Sequence, residues 1–517
     1  MSALLHSGFM YTHDSLWHVE RLQDIASNVR SQFPVRWSPG LDHGYGIPLF
    51  NFTYPGPYYL GAVAMFFGLG PLATFKLLLF LSYLLGGLGV YMLGKKKPVY
   101  GVIASLLYLL SPYWFLDIFV RGALGEVMAL GLIPWVFLAM QNIEETGRVR
   151  WFAPLPLALL LISHNFYGFL FTGLLLFFTI VTYKNKLQII KSIALSLGLS
   201  AFFLLPALFE KSELLIAQAE TVGYRNHFVS ATQLISPSWH YLGSQTGQGT
   251  EEMSYQLGLA NVGLLVLAIW YFRRLWVYLS AVAISLVMMF PASNWLWAHL
   301  PLLSTLQFPW RFLGIIVALL PLIYVKVSEI VGKGKTNRVF LIFSVTLVLT
   351  GLINTMNYKS PLKWLNDEEF LTLHYEYAGG TTTAYREELV PKYAPVERYD
   401  PVDPRLIDGT RLAVRNGAAV ISEAVESPLQ IIFTAVSDPS SEVVWYRNFF
   451  PSWSATVDGE KATLSPSESG EIILPLHEGT HEYQISLRST PIESVANLIS
   501  VLSLCAILTL IWRPKSG

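Results

Sequence analysis

Residues 74–97 read TFKLLLFLSYLLGGLGVYMLGKKK, and this stretch decides the class of fold. From Thr74 to Gly94 it carries a single charge, Lys76, and it ends on Lys95, Lys96 and Lys97. A bilayer crossing needs about 20 mostly apolar residues. Basic residues just past a crossing mark its cytoplasmic end. The run therefore reads as a transmembrane helix with a cytoplasmic C-terminal end.

The same pattern recurs on both sides of it. Over the 517 residues, 53% are hydrophobic and only 14% charged, unlike a soluble chain of this size. Crossings are expected near 74–94, 98–112, 125–142, 151–163, 165–183, 192–208, 256–271, 276–291, 309–326, 339–356 and 493–512, about eleven in all. Further basic clusters follow the third (Arg148, Arg150), fifth (Lys184, Lys186, Lys191), seventh (Arg273, Arg274), ninth (Lys326, Lys333, Lys335, Arg338) and last (Arg513, Lys515). Each follows an odd-numbered crossing, so all can lie in the cytoplasm together. Residues 57–70 are apolar but broken by Gly61, Gly68 and Gly70 before Pro71. Counting them as a crossing would invert every later loop, so they read as a re-entrant or interfacial segment.

This direction places residues 1–55, the loops at 113–124, 209–255 and 292–308, the His164–Asn165 turn and residues 357–492 outside the cytoplasm. The domain plan is an outward loop over 1–55, a helical domain over 56–356, an outward domain over 357–492 and a last helix with a cytoplasmic tail over 493–517. The expected location is the plasma membrane, with the C-terminal domain outside. No signal peptide is visible before Asp14. An outward N-terminus then implies that a first helix is missing from this sequence, or that the segment translocates unaided.

Formal net charge is zero, so no attraction to nucleic acid is implied. Residues 357–492 hold 20 acidic and 11 basic side chains, leaving the basic excess in the membrane part. From Arg411 the outward domain alternates as β-strands do: 412–414, 429–433, 442–446, 453–457 before the Asp458–Gly459 turn, 472–474 and 483–487. An antiparallel β-sandwich is expected, acting as a binding or shielding module. Residues 358–405, rich in Tyr, Pro and acidic side chains, read as a long excursion over the membrane face. The single cysteine, Cys505, reads as apolar packing.

The chemistry-bearing residues gather on the outward side. In Thr12-His13-Asp14-Ser15-Leu16-Trp17-His18, Asp14 opens a helix whose Leu16, Val19, Leu22, Ile25 and Val29 recur at helical spacing, as in an amphipathic helix on a membrane surface. Asp14 is either an N-cap or a general base at the membrane surface, able to take a proton from an acceptor hydroxyl. His13 and His18 are interfacial or substrate-binding. A divalent metal held by Asp14, His18 and Asp42 or His43 is conceivable, but no ligand spacing indicates one. Asp117, Arg121 and Glu126 lie at one outer mouth, His164 at an outer turn, and Arg311 where the ninth crossing begins. Ionisable groups at membrane depth usually face a cavity or a partner. Arg121 and Glu126 form either a structural pair or a phosphate grip, Arg311 either snorkels or binds phosphate, and His164 either satisfies its turn or contacts substrate. A shared outer cavity lined by Asp14, Arg121, Glu126 and Arg311 suits a lipid-borne phosphate.

These motifs, in this order, resemble the bacterial GT-C membrane glycosyltransferases. The likeness rests on the Asp14 loop, Trp37-Ser38-Pro39, Tyr54-Pro55-Gly56, Arg121-Gly122-Ala123 with Glu126, Phe308-Pro309-Trp310-Arg311-Phe312, and the outward domain with Pro451-Ser452-Trp453. It is closest to the group labelled membrane protein 6-pyruvoyl-tetrahydropterin synthase-related, and extends to relatives that glycosylate teichoic acids. A soluble pterin synthase needs a compact metal-binding fold that this chain does not offer. The resemblance implies transfer of a sugar from a polyprenyl-phosphate carrier to a glycan or envelope acceptor on the non-cytoplasmic face. Asp14 matches the acidic residue of the first outer loop, and Arg121 and Arg311 match the carrier-phosphate ligands. That family places a spanning helix just before the acidic loop, and this chain departs from it there. The competing readings are a transporter or flippase for a lipid-linked glycan and a non-catalytic envelope-assembly factor.

Overall fold

A computed structural model of the chain describes residues 1–42, 44–215, 223–241, 243, 253–300, 303, 306–331, 335–358, 363–365, 369, 389–394 and 411–511. Its helices are α1 (Ser15–Asn28), α2 (Gly56–Phe66), α3 (Pro71–Gly94), α4 (Pro98–Leu109), α5 (Leu124–Thr146), α6 (Leu155–Leu161), α7 (Asn165–Val181), α8 (Lys186–Leu199), α9 (Ala201–Phe209), α10 (Leu259–Trp270), α11 (Phe272–Met289), α12 (Phe312–Ile330), α13 (Lys335–Met356) and α14 (Pro491–Ile511), with shorter turns between them.

Six of these are long and apolar enough to cross a bilayer: α3, α5, α11, α12 with its leading turn from Pro309, α13 and α14. The number rises to eight if two bent pairs each count once. One is α4 with Pro112–Arg121, bent by 48°, and the other is α8 with α9, bent by 71°. Every apolar segment read from the sequence falls on a helix, yet several are short. The seven residues of α6 reach only about 10 Å at 1.5 Å per residue. Helix α2, over the stretch read as re-entrant or interfacial, has 11 residues and reaches about half of a 30 Å hydrocarbon layer.

Burial sorts the long helices. The apolar windows of α5 and α12 are each 83% buried, whereas those of α13 and α14 are 22% and 11% buried. Thus α5 and α12 form the centre, and α13 and α14 present their sides outward. Helix α3 lies along α5. Gly131 permits the approach, since a Cβ there would sit 2.6 Å from the Ser82 carbonyl oxygen. Without a hydrophobic force between helices in lipid, close packing at small residues is what holds such pairs together.

Helix α1 does not lie on a membrane surface. Its Leu16, Val19, Leu22 and Ile25 are at most 5% exposed and pack into the helical core, with α2 and α3 as neighbours. The amphipathic stripe is spent on protein rather than on lipid. Just ahead of α1, strand β1 (Phe9–Tyr11) pairs antiparallel with β2 (Lys363–Leu365).

The C-terminal region is a sandwich of two antiparallel sheets. Its strands are β3 (Leu412–Asn416), β4 (Ala419–Ser427), β5 (Gln430–Ser437), β6 (Glu442–Asn448), β7 (Trp453–Val457), β8 (Glu460–Ala462), β9 (Ser465–Pro466), β10 (Glu471–Pro475) and β11 (Gly479–Leu487). One sheet runs β3-β6-β10-β9 and the other β4-β5-β11-β7-β8. Phe433, Trp445, Leu474, Tyr483 and Ile485 fill the space between them and are fully buried. The edge strand β4 escaped sequence reading because Val420 and Val425 face outward, so no apolar alternation marks it. Most of the excursion expected over 358–405 lies outside the described residues.

The sandwich seats on the N-terminal segment. The Trp37 ring, 1% exposed, meets Trp453 edge-on at 5.3 Å and Phe450 at 6.3 Å. The Arg447 guanidinium donates to the carbonyls of Pro39 at 2.8 Å and Gly44 at 3.0 Å, and the Asn448 amide donates to Asp42 Oδ2 at 2.7 Å. Residues 1–55 thus lend Leu16, Val19, Leu22 and Ile25 to one core and Trp37 and Phe52 to the other.

Candidate functional site

The two central helices begin at one place, and both begin with charge. Glu126 sits in the first turn of α5, where the helix dipole favours a carboxylate. Arg311 closes the 3-10 turn Pro309–Arg311 that leads into α12. Arg311 Nε donates to Glu126 Oε1 at 2.8 Å. Arg121 Nη1 lies 2.8 Å from the other oxygen, Oε2, and 2.7 Å from Asp117 Oδ1. One buried carboxylate therefore bridges two guanidinium groups that are far apart in sequence.

The turn that carries Asp117 and Arg121 is itself unusual. Leu116–Arg121 is a π-helical turn ended by Gly122 at φ +65°. Such turns are rare and concentrate at functional sites. Gly122 is required twice, for the left-handed backbone and for room: a Cβ there would fall 2.1 Å from Thr12 Oγ1. The N-terminal segment closes against this turn through His13 N–H to the Val120 carbonyl at 3.1 Å and Asp14 N–H to the Arg121 carbonyl at 2.8 Å. Asp14 occupies the N-cap position of α1, but its side chain makes no capping bond. Its Oδ2 stands 3.9 Å from Arg121 Nη2 instead.

Aromatic side chains line the cluster. The Arg121 guanidinium lies 4.6 Å from the Trp310 ring centre, and that of Arg311 lies 4.6 Å from Phe308. The Tyr113 hydroxyl donates to Glu126 Oε2 at 3.1 Å and lies 2.9 Å from the Tyr167 hydroxyl, which donates to the Arg311 carbonyl at 3.1 Å. Tyr113 and Tyr167 escaped the sequence reading. An aromatic in an apolar helix reads as packing, and only the fold gives its hydroxyl a charged partner. His164 caps α7, its Nδ1 accepting the Tyr167 N–H at 3.4 Å, while Nε2 stands 3.6 Å from Glu126 Oε1. It therefore both satisfies its turn and borders the cluster.

Exposure separates the members. The side chains of Asp117 and Glu126 are 0% and 1% exposed, Arg121 is 6% and Arg311 is 15%. Asp14 is 39% exposed. One carboxylate oxygen of buried Asp117, Oδ2, has no hydrogen-bond partner among the described residues. Burying so much charge costs several kcal/mol per ion unless the geometry is good and the spare lone pairs are satisfied. Here most of them are, through the tyrosines and the paired guanidinium groups.

The structure thus gathers Asp14, Arg121, Glu126, His164 and Arg311, and His13 is exposed beside Asp14. His18 feels the charges of Arg121 and Glu126 but, among the described residues, makes no hydrogen bond to either. His18 is 3% exposed, and its Nδ1 lies 2.8 Å from the Tyr58 hydroxyl. Burial holds its imidazole well below the usual range, so it is neutral at pH 7. Asp42, the other metal candidate, accepts from the Asn448 amide at 2.7 Å in the joint with the sandwich. His43 lies outside the described residues. Among the described residues, no three His, Cys, Asp or Glu side chains are grouped to hold a metal.

Fold and site together define a multi-pass helical membrane protein with a β-sheet region near its C-terminus and a buried ionic cluster where its central helices start. The family model described as 6-pyruvoyl-tetrahydropterin synthase related domain, membrane protein, matches residues 50–359, and the chain belongs to that family. The matched stretch holds Arg121, Glu126, His164 and Arg311, while Asp14 precedes it. No curated protein and no solved structure matches the chain.

Proposed function

We propose that this protein is a membrane glycosyltransferase of the GT-C type, moving a sugar from a polyprenyl-phosphate carrier to a glycan or other envelope acceptor. In this reading it sits in the plasma membrane with eleven crossings. The sandwich and the Asp14 cluster face away from the cytoplasm. The observation that carries the reading is the contrast at the cluster: Asp14 keeps an open side, whereas the other two carboxylates beside the arginines are sealed.

The step follows from that contrast. The acceptor hydroxyl oxygen attacks the anomeric carbon of the carrier-bound sugar. The bond from that carbon to the phosphate oxygen breaks, and polyprenyl phosphate leaves with the bond electrons. Asp14 takes the hydroxyl proton. Arg311, its side chain 15% exposed, and the more buried Arg121 offset the charge that grows on the leaving phosphate. Glu126 holds both guanidinium groups in place, and His13 and His164 border the same mouth.

The test uses the full-length protein, purified in lipid nanodiscs with a panel of radiolabelled polyprenyl-phosphate sugars and envelope glycans. Label should move to an acceptor with at least one donor. Asp14→Asn should lower that rate by about 10²–10⁴-fold while carrier binding persists. Label that stays in the carrier across the whole panel sinks the reading. Movement of the intact carrier between leaflets, unaffected by Asp14→Asn, would support a flippase instead.

A further inference from the structure

A second polar site stands apart from the Asp14 cluster, where the sandwich meets the last helix. A cavity of about 180 Å³ lies there, bounded by residues 31–34, by Arg36, Trp37 and Asn51, by Ser452 and residues 487–489 at the end of the sandwich's last strand, and by Glu493 in the first turn of α14. On its wall Arg36 is 7% exposed, with its Nη atoms bonded and its Nε without a hydrogen-bond partner among the described residues. It donates to Asn51 Oδ1 at 2.7 Å, to Asn497 Oδ1 at 2.9 Å and to the Phe202 carbonyl at 3.1 Å, and stands 3.7 Å from Glu493. The Glu493 carboxylate is answered as well, by the Asn51 amide at 2.7 Å and the Thr490 N–H at 3.1 Å.

What remains on the cavity side is cationic and hydrogen-bond donating. Arg488 is exposed, and among the described residues its guanidinium has no partner. Ser452 lines the cavity with an accessible hydroxyl that makes no hydrogen bond among the described residues. Ser489 adds a second open hydroxyl. A buried polar atom normally finds a partner, and Arg36 Nε on this wall has none among the described residues, which points to a ligand atom.

Position identifies the kind of ligand. Helix α14, long and apolar enough to span, starts at Pro491, two residues past the cavity wall. Phe33, on the cavity rim, is 79% exposed, and Phe66 at the end of α2 and Phe67 just past it are 71% and 77% exposed. Phe33 packs on Tyr59 of α2, and Arg30 lies over the Phe66 ring. Exposed phenylalanines with arginines beside them fit the boundary between head groups and acyl chains.

We propose that this cavity binds the phosphate of an anionic phospholipid head group, with Arg488 pairing the phosphate, Ser452 and Ser489 donating to its oxygens, and the acyl chains lying along Phe33 and α2. The site is independent of the glycosyl-transfer reading, because no residue in it touches the Asp14 cluster. A zwitterionic head group is disfavoured, since its choline cation would meet Arg488.

Native mass spectrometry of the full-length protein tests this, with phosphatidylglycerol or phosphatidylcholine titrated into detergent and inorganic phosphate as competitor. One phosphatidylglycerol should bind at least about tenfold more tightly than phosphatidylcholine, and Arg488→Glu should weaken it by at least about tenfold. Arg488 is exposed and unpaired, so this variant should fold. Should it not, Ser452→Ala gives a second reading, a loss of about threefold. Equal binding of the two lipids, unchanged binding in the variants, or displacement of the lipid by millimolar inorganic phosphate would each overturn the proposal.

Discussion

Two buried ionic networks join the N-terminal segment to the membrane helices, and they are built on different terms. Around Glu126, charge answers charge: two guanidinium groups meet Glu126, Asp117 and, at the rim, Asp14. Around Arg36, charge is answered chiefly by neutral groups, namely Asn51, Asn497 and the Phe202 carbonyl, with Glu493 more distant at 3.7 Å. The first arrangement keeps strong fields close to a partly open carboxylate. The second spends its field on fastening, tying residue 36 to α9 and α14 across the sequence. An ionic cluster at a membrane boundary is thus a candidate for chemistry when one of its charges stays accessible, and a clamp when amides close every direction but one.

The largest expected effect breaks the first network. Glu126→Ala leaves two buried guanidinium groups facing each other and should cost roughly 3–5 kcal/mol, read as a fall in thermal unfolding temperature in detergent. Arg36→Gln should cost less, about 2 kcal/mol, because Asn51 and Asn497 can bond a new amide. Should Arg36→Gln prove the more damaging, the contrast between the two networks fails. Asp14→Asn sharpens it from the other side. Its carboxylate is partly exposed and 3.9 Å from Arg121, so stability should change by less than about 1 kcal/mol, whereas the proposed glycosyl transfer should be lost.

The smallest effect is a slope with pH. Burial raises the Asp24 carboxyl from 3.8 to about 7, against the lowering bonds from the Ser38 hydroxyl and the Asn28 amide. An acid with a raised pKa holds its proton more tightly when folded. Its contribution to stability is full below pH 3.8 and lost as pH rises through about 7. Unfolding temperature compared at pH 5 and pH 8 should fall more in wild type than in Asp24→Asn, and equal slopes would refute the assignment.

Much of the helical domain was legible because lipid imposes a simple rule. A backbone in hydrocarbon must satisfy itself, so apolar runs become helices wherever they occur. That rule says less about short runs, which is why α6 and the bent pairs leave the crossings at six to eight by length. The longer strands from Leu412 to Leu487 followed alternation, except β4 at the sheet edge, where Val420 and Val425 face water, while β8 and β9, of three and two residues, are too short to show a period. Candidate residues were legible as polar exceptions in apolar surroundings: Arg121, Glu126, His164 and Arg311 stand out because charge at that depth is costly.

Composition and periodicity by themselves determined a multi-pass protein with a β-rich region near its C-terminus, because hydropathy and strand alternation are local properties. Only the tertiary structure decided which exceptions meet. It set Arg121 and Arg311 on the two oxygens of Glu126, turned His18 inward to Tyr58, and gave Tyr113 and Tyr167 a charged neighbour. The physical reason is that a side chain's partner is set by how helices far apart in sequence pack, and α5 and α12 begin at one point only because the bundle closes around them.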